Sequence, residues 1–499
     1  MKNIFLAAFI AALFVMPVFA QHDHTAPVPT APSKKDTVKQ KAVRPKKMPY
    51  IKTDTTKSMD HKHHMDMKGM QHDTMKGMDH DKMPMPGMNH SYSLSLPMSR
   101  NGSGTSWAPD NTPMYMLTAP TKNGAWMFHG SMFLRYNNQQ VNGKTARSGA
   151  QFDAPNWFMA MYNRQIGKNG LLNISAMLSA DPLTVTERGY PLLFQSGESY
   201  KGQTLVDRQH PHDLFSGLTI GYTQHFSKKV DVFGYFGYPG EPALGAPAFM
   251  HRINALNDPD APLGHHWQDA THITYGVATL GVRLDKFKVE GSAFTGREPD
   301  ENRYDFDKMR FDSFSWRTSY NPNRSWAFQV SQGYLNSPEL LHPDENIWRY
   351  SASALYASPV TPEGKYFTGA LIWGMNHSSH GGNEHSFLAE GTRQLNKQAI
   401  YGRYEFVQKG AEELDLTQFP DDLRFGINAI TLGVNRIVTT FKQTNLTVGM
   451  QGSLNITPAD LRPLYGSKPV GFQVYLRVTP GLMKMGGSKK KMDHGMMDK

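Results

Sequence analysis

There is no cysteine among the 499 residues. That absence excludes disulfides, thiolate zinc sites and a cysteine nucleophile, and it removes the residue on which a lipoprotein anchor is built. Beyond the first few turns of sequence there is also no run of about eighteen apolar residues, so no helix is expected to span a bilayer. No tandem repeat of about 20–50 residues is present, which argues against a solenoid or propeller. A basic folded face is lacking too. The net charge is +10, but the excess of Lys and Arg lies at the two ends and residues 123–480 are close to neutral. Nucleic-acid binding is therefore set aside.

What the chain does have begins with a positive Lys2, an apolar stretch from Ile4 to Val15 and the small residues around Val18-Phe19-Ala20. This reads as a secretory signal over 1–20, with the mature chain starting near Gln21. Residues 21–98 are of low complexity, Lys/Pro-rich and then Met/His-rich, and cannot bury enough surface to fold alone. Residues 99–122 form a transition, 123–480 carry a regular pattern, and 481–499 are again rich in Met, Lys and His.

The pattern in 123–480 is alternation. Leu446, Val448, Met450, Leu454 and Ile456 fall on one face of an extended segment, and Asn445, Thr447, Gln451, Ser453 and Asn455 on the other. Phe472, Val474, Leu476 and Val478 likewise oppose Gln473, Tyr475, Arg477 and Thr479. Strand side chains have period two, so each segment has one greasy and one wet face. Candidate strands lie near 125–136, 155–165, 170–180, 214–226, 230–239, 271–284, 287–296, 310–320, 325–336, 346–358, 365–377, 384–395, 398–408, 424–440, 443–456 and 471–480. Short connections such as Gly167-Lys168-Asn169, Asp285-Lys286, Asn396-Lys397 and Lys442-Gln443 alternate with longer ones, two of which run to about thirty residues. Short turns on one side and long loops on the other are the outer-membrane pattern. The expectation is an all-β chain: a transmembrane antiparallel up-and-down β-barrel of about sixteen strands in the bacterial outer membrane, both termini periplasmic, with a disordered N-terminal extension and a short C-terminal tail. A soluble β-sandwich is the competing fold. A barrel of this size can hold a wet lumen, and long loops can also plug it.

Two regions carry chemistry. The first is a polar cluster in the long connections: Arg208, His210, His212, Asp213, His251, His265, His266, Asp269 and His272. Imidazoles near carboxylates suit zinc, copper or nickel; the bland alternative is a network of Arg–carboxylate pairs that braces the loops. The second lies outside the barrel. His61, His63, His64, Met65, Met67, Met70, His72, Met75, Met78, His80, Met83, Met85, Met88 and His90 are interleaved with Asp and Lys, and the tail repeats the composition with His494 and Met496. Methionine is normally a core residue, and here it has no apolar neighbours. The thioether is a soft ligand for copper(I) and silver(I); a solvated tether of biased composition is the alternative.

Gly102-Ser103-Gly104-Thr105-Ser106-Trp107, with Pro109, Pro113 and Met114, resembles the leading segment of a family of uncharacterised bacterial outer-membrane-type β-barrel proteins associated with heavy-metal (copper) resistance. The similarity continues through Asp207 to Asp213, Gly264 to Asp269 and Gly296-Arg297-Glu298-Pro299-Asp300, and covers most of residues 99–410. It implies an envelope location and a metal context, and no catalytic residue carries over from it. The expected function is a channel or efflux-associated barrel for small solutes or metal ions, with Met/His-rich periplasmic ends that bind copper or silver. Its expected partners are membrane lipid, metal ions and envelope metal-efflux components, with no enzyme activity. Two alternatives stand: a barrel-anchored metal-sequestering protein without transport, and an outer-membrane hydrolase with a loop histidine site.

Overall fold

The protein's structure, a computed structural model, describes residues 92–483. The signal segment and the terminal candidates from His61 to His90, with His494 and Met496, lie outside the described residues. Sixteen strands form the wall. They are β1 Gly124–Asn138, β2 Asn156–Ile166, β3 Gly170–Leu178, β4 Phe215–Ser227, β5 Val230–Gly237, β6 Val277–Leu284, β7 Phe287–Phe294 and β8 Ser313–Asn323. The second half comprises β9 Trp326–Asn336, β10 Asn346–Ala357, β11 Tyr366–Ser378, β12 Gly382–Leu395, β13 Gln398–Gly410, β14 Arg424–Phe441, β15 Thr444–Ile456 and β16 Val470–Pro480. Each pairs antiparallel with the next, and β16 closes on β1 with Met132 opposite Val478 and Asn138 opposite Phe472. A short leading strand, Leu117–Thr121, continues the seam along the start of β1.

Alternation builds this wall. Along β6 every second residue is exposed, and Leu280 and Leu284 show 73% and 54% of their surface. Thr279 and Arg283 point the other way and are buried. Leaving so many large apolar side chains in water would forgo about 1.5–3 kcal/mol each; against hydrocarbon they cost nothing. Outward aromatic rings cluster, as in Trp326, Phe328 and Tyr356 or Phe314, Tyr334 and Trp348, like the interfacial girdles of membrane barrels.

Sixteen segments match the expected strands to within about three residues, with one larger shift. The strand expected from 271 starts at Val277. Residues 271–276 instead carry a 3-10 turn ending at His272 and a left-handed Gly276 (φ 100°), which belong to the preceding loop. One connection on the long-loop side, 379–381, is as short as the turns at the opposite rim.

The lumen is filled among the described residues. The loop between β5 and β6, residues 238–276, runs inside the barrel and is pinned to the wall by charge. Arg252 on this plug donates to Glu390 on β12 (2.8 Å) and to Asp269 (2.6 Å). Arg403 on β13 pairs with Asp258 (3.2 Å), and Arg135 on β1 donates to Asp260 (2.6 Å), which also accepts from Gln451. The transition segment fits beneath the plug: Ser103 Oγ accepts from the Ala248 N–H (2.7 Å), and Thr105 Oγ1 accepts from Arg317 (3.0 Å). Toward the long-loop rim an apolar cap gathers Val185, Leu193, Phe194, Leu414, Leu461 and Tyr465. The polar inner face expected from sequence is therefore present, and much of it meets protein. Polarity of a face says that its groups need hydrogen-bond partners, and plug backbone serves as well as water.

Candidate metal centre

Three short pieces converge inside the long-loop half of the barrel. The two-residue pairing of Tyr190–Pro191 with Arg208–Gln209 leads directly into the His210-Pro211-His212 segment. The plug supplies a short helix, His265–Gln268, followed by the 3-10 turn Ala270–His272. Five imidazoles meet edge to face and close a ring. Their centroids lie 5.5 Å apart from His212 to His272, 4.9 Å to His265, 5.2 Å to His266, 6.0 Å to His210 and 6.0 Å back to His212. They surround a chamber of about 20 Å³ also lined by Glu198, Asp213, Glu298 and Arg303.

Four of the five Nδ1 atoms are tied down. His265 Nδ1 bonds Asp269 (2.5 Å), one helical turn away, and His212 Nδ1 bonds Asp181 (2.8 Å). His272 Nδ1 meets the Asp269 carbonyl (2.9 Å) and His210 Nδ1 the Pro211 carbonyl (3.1 Å). His266 Nδ1 lies 3.6 Å from Glu298. At His212, His265 and His272 the acceptor on Nδ1 fixes the tautomer that leaves Nε2 with a free lone pair, the outer-shell arrangement of metal-bound histidine; His210 Nε2 instead lies 3.2 Å from Glu198. Nε2 of His212, His266 and His272 is shielded and has no hydrogen-bond partner. One nitrogen from each of His210, His265 and His266 lies within 4.8 Å of the other two. Around a tetrahedral ion with bonds of about 2.0–2.1 Å, ligand atoms stand roughly 3.4 Å apart, so the rings need to close by about an ångström.

Burial favours the neutral form of three of these rings. Burial, reinforced by Arg303, drives His210 well below the ordinary histidine value, and burial with His265 and His212 does the same to His272. Burial also lowers His265, against the pull of Asp269. For Asp269 burial acts upward, but His265 and Arg252 outweigh it and hold the carboxyl well below the usual range. Burial pushes Glu198 up to about 7, with Arg303 opposing.

Above the chamber, a cavity of about 140 Å³ reaches Glu198, His266 and Glu298 and is lined by Glu339, Glu345, Glu384, Glu412 and Glu413 together with Arg349 and Arg424. His266, Glu198 and Glu298 line both spaces.

Of the nine loop residues singled out in the sequence, seven come together here. Two do not. Arg208 braces its own loop, donating to the Arg188 and Gly189 carbonyls and to Gln151. His251 packs on Trp157 and faces His129, with centroids 4.7 and 5.8 Å away. Sequence reading missed Asp181 and Glu198, which sit mid-loop with no local pattern to mark them. The Nδ1 partners of His210, His212, His265 and His272 are carboxylates or carbonyls.

No protein-family model and no curated protein matches the sequence. Among solved structures, OmpF of Salmonella typhi in complex with daunomycin is 10% identical, covers 73% of this chain and 99% of its own, and superposes with a TM-score of 0.44. OprB of Pseudomonas putida at high pH is 12% identical over 71% of this chain and 94% of its own, with a TM-score of 0.42. The outer membrane channel DcaP of Acinetobacter baumannii is 9% identical over 71% and 96%, with a TM-score of 0.41. The likeness is one of barrel architecture and says nothing about what this chain handles.

Proposed function

We propose that the chain is an outer-membrane, channel- or efflux-associated barrel that handles transition-metal ions and holds one at the imidazole ring. One observation carries this reading: five imidazoles converge, their Nδ1 atoms are mostly bound to acceptors, and three shielded Nε2 atoms have no partner. An unsatisfied buried polar group costs about 1–3 kcal/mol, which a metal ion bound at those nitrogens would offset. Neutral imidazoles with carboxylates behind them suit zinc, copper(II) or nickel. The acidic cavity gives a cation a favourable approach to His266 from the long-loop rim. Both ends of the barrel wall lie at the short-turn rim, the periplasmic one in outer-membrane barrels. The segment from His61 to His90 and the tail with His494 and Met496 would there bind copper or silver and meet envelope efflux components. A second reading, sequestration without transport, is favoured by the filled lumen.

Metal analysis of the full-length protein tests the ring. Equilibrated with zinc and then desalted, the wild type should keep one more equivalent than the His265→Ala/His272→Ala variant. The barrel's shifted mobility on unheated electrophoresis serves as the folding control. Equal zinc content in two folded proteins would rule out the ring as a metal site.

A further inference from the structure

On the other side of His272 lies a second space, and its donors are of a different kind. A cavity of about 60 Å³ between the wall and the plug is lined by His129, Met159, Met161, Met177, Met250 and His251, with His272 at one edge. The wall donors follow from strand register. On three adjacent strands His129 stands opposite Met159, and Met159 opposite Met177; one step along, Met127 stands opposite Met161. Directly opposed residues on one face have Cβ atoms about 4.5–5.5 Å apart, so the two thioethers and the imidazole form a row across the sheet. The plug lays Met250 and His251 over this row, and the His129 and His251 rings are 5.8 Å apart.

These methionines occupy the inward face, which elsewhere on the same strands carries Asn163, Asn173 and Ser175. A packing role alone would explain thioethers, since methionine fills irregular gaps. It does not explain His129 Nε2, which is shielded from solvent, has no hydrogen-bond partner and sits beside open space. No carboxylate is bonded to either ring, unlike the five-imidazole ring. Thioethers with neutral imidazoles are a soft, uncharged donor set, which favours a monovalent d10 ion over zinc or nickel.

We propose that His129, Met159, Met177, Met250 and His251 form a site for copper(I) or silver(I) that clamps the plug to the barrel wall. It stands on donors separate from the imidazole ring and does not depend on that ring being occupied. Tyr92, the first described residue, also lines the cavity.

The test is thermal unfolding of the full-length protein with silver nitrate as the probe, in chloride-free buffer. An ion that joins wall and plug stabilises the folded barrel by mass action, whereas one bound only by the terminal segments does not. Silver should raise the unfolding temperature of the wild type and of the His265→Ala/His272→Ala variant. The rise should vanish in Met159→Leu/Met177→Leu, a nearly volume-conserving change that leaves packing largely intact. Met250→Leu, on the plug, gives the same reading through a different donor should the double variant fail to assemble. No rise in the wild type, or a rise that survives both methionine variants, would overturn the proposal. Loss of the rise only in the His265→Ala/His272→Ala variant would overturn it too, by moving silver to the ring.

Discussion

Asp207 shows how one residue can tie the cap to the pH of its surroundings. It sits in the left-handed region (φ 59°), which aspartate and asparagine tolerate better than other non-glycine residues. Its carboxylate accepts the Phe194 N–H (2.7 Å), the Tyr465 hydroxyl (3.1 Å) and Arg147 (3.3 Å). Burial nevertheless wins over these partners and pushes the carboxyl up to about 6. The folded state therefore keeps a proton that an unfolded carboxyl releases near pH 4, roughly. Its contribution to stability is complete below that lower value and is lost as pH rises toward about 6. Asp207→Asn, which suits the same backbone conformation, should flatten the fall in urea midpoint across this window. An unchanged slope would mean that other groups set it. The metal chemistry is likewise a residue-scale matter, because tautomer and exposure of each ring decide whether a nitrogen can ligate.

At the scale of elements, the plug occupies the space through which a barrel of this size would conduct. Residues 238–276 join two neighbouring strands that a turn of a few residues could connect. They reach across to Glu390, Arg403, Gln451 and Gln473 on strands far from both. Each of these contacts replaces a water-filled sector of lumen. Buried ion pairs such as Arg252 with Glu390 and Asp269 are costly to break by halves, at about 3–5 kcal/mol, so spontaneous withdrawal of the whole loop is disfavoured. Replacing 244–270 with a short Gly/Ser linker should turn a protein of low conductance in planar bilayers into one with large, stable current steps. Equal conductance before and after would show that the lumen is sealed elsewhere, for example by the transition segment around Ser103 and Thr105. The variant would also lose His251, His265 and His266, so it should bind zinc no better than the ring variant does.

At the scale of the molecule, the wall belongs in a bilayer and its interior is filled with charged and polar protein groups. Leu280, midway along β6, is 73% exposed and flanked outward by Ala278 and Val282. Leu280→Arg should cost about 2–4 kcal/mol of folding stability in phospholipid vesicles if it lies near the midplane. Thr279→Ser, on the buried inner face, should leave assembly in lipid nearly unchanged. A small effect of the arginine would place this face in water. The inner surface, by contrast, is held by charge: Lys288 and Arg317 both meet Glu290, at 2.7 and 2.9 Å. That division of labour, apolar outside and ionic inside, inverts the usual globular order and does not call on any disulfide.

Sequence by itself determined the strands, their number, the side with long loops and the two faces of the wall, because period-two alternation and turn spacing are local properties read within a few residues. It also marked the loop histidines as chemistry. The thioether row was open to the same reading, since Met159, Met161 and Met177 fall on the wet face by simple alternation. Only the tertiary structure decided what meets that wet face. Whether water or a plug satisfies Arg135, Glu390 and Arg403, and which imidazoles out of nine polar loop residues share one chamber, depends on contacts between segments 50 to 200 residues apart, roughly. Loop closure over such distances costs little that depends on local sequence, so no local pattern records it.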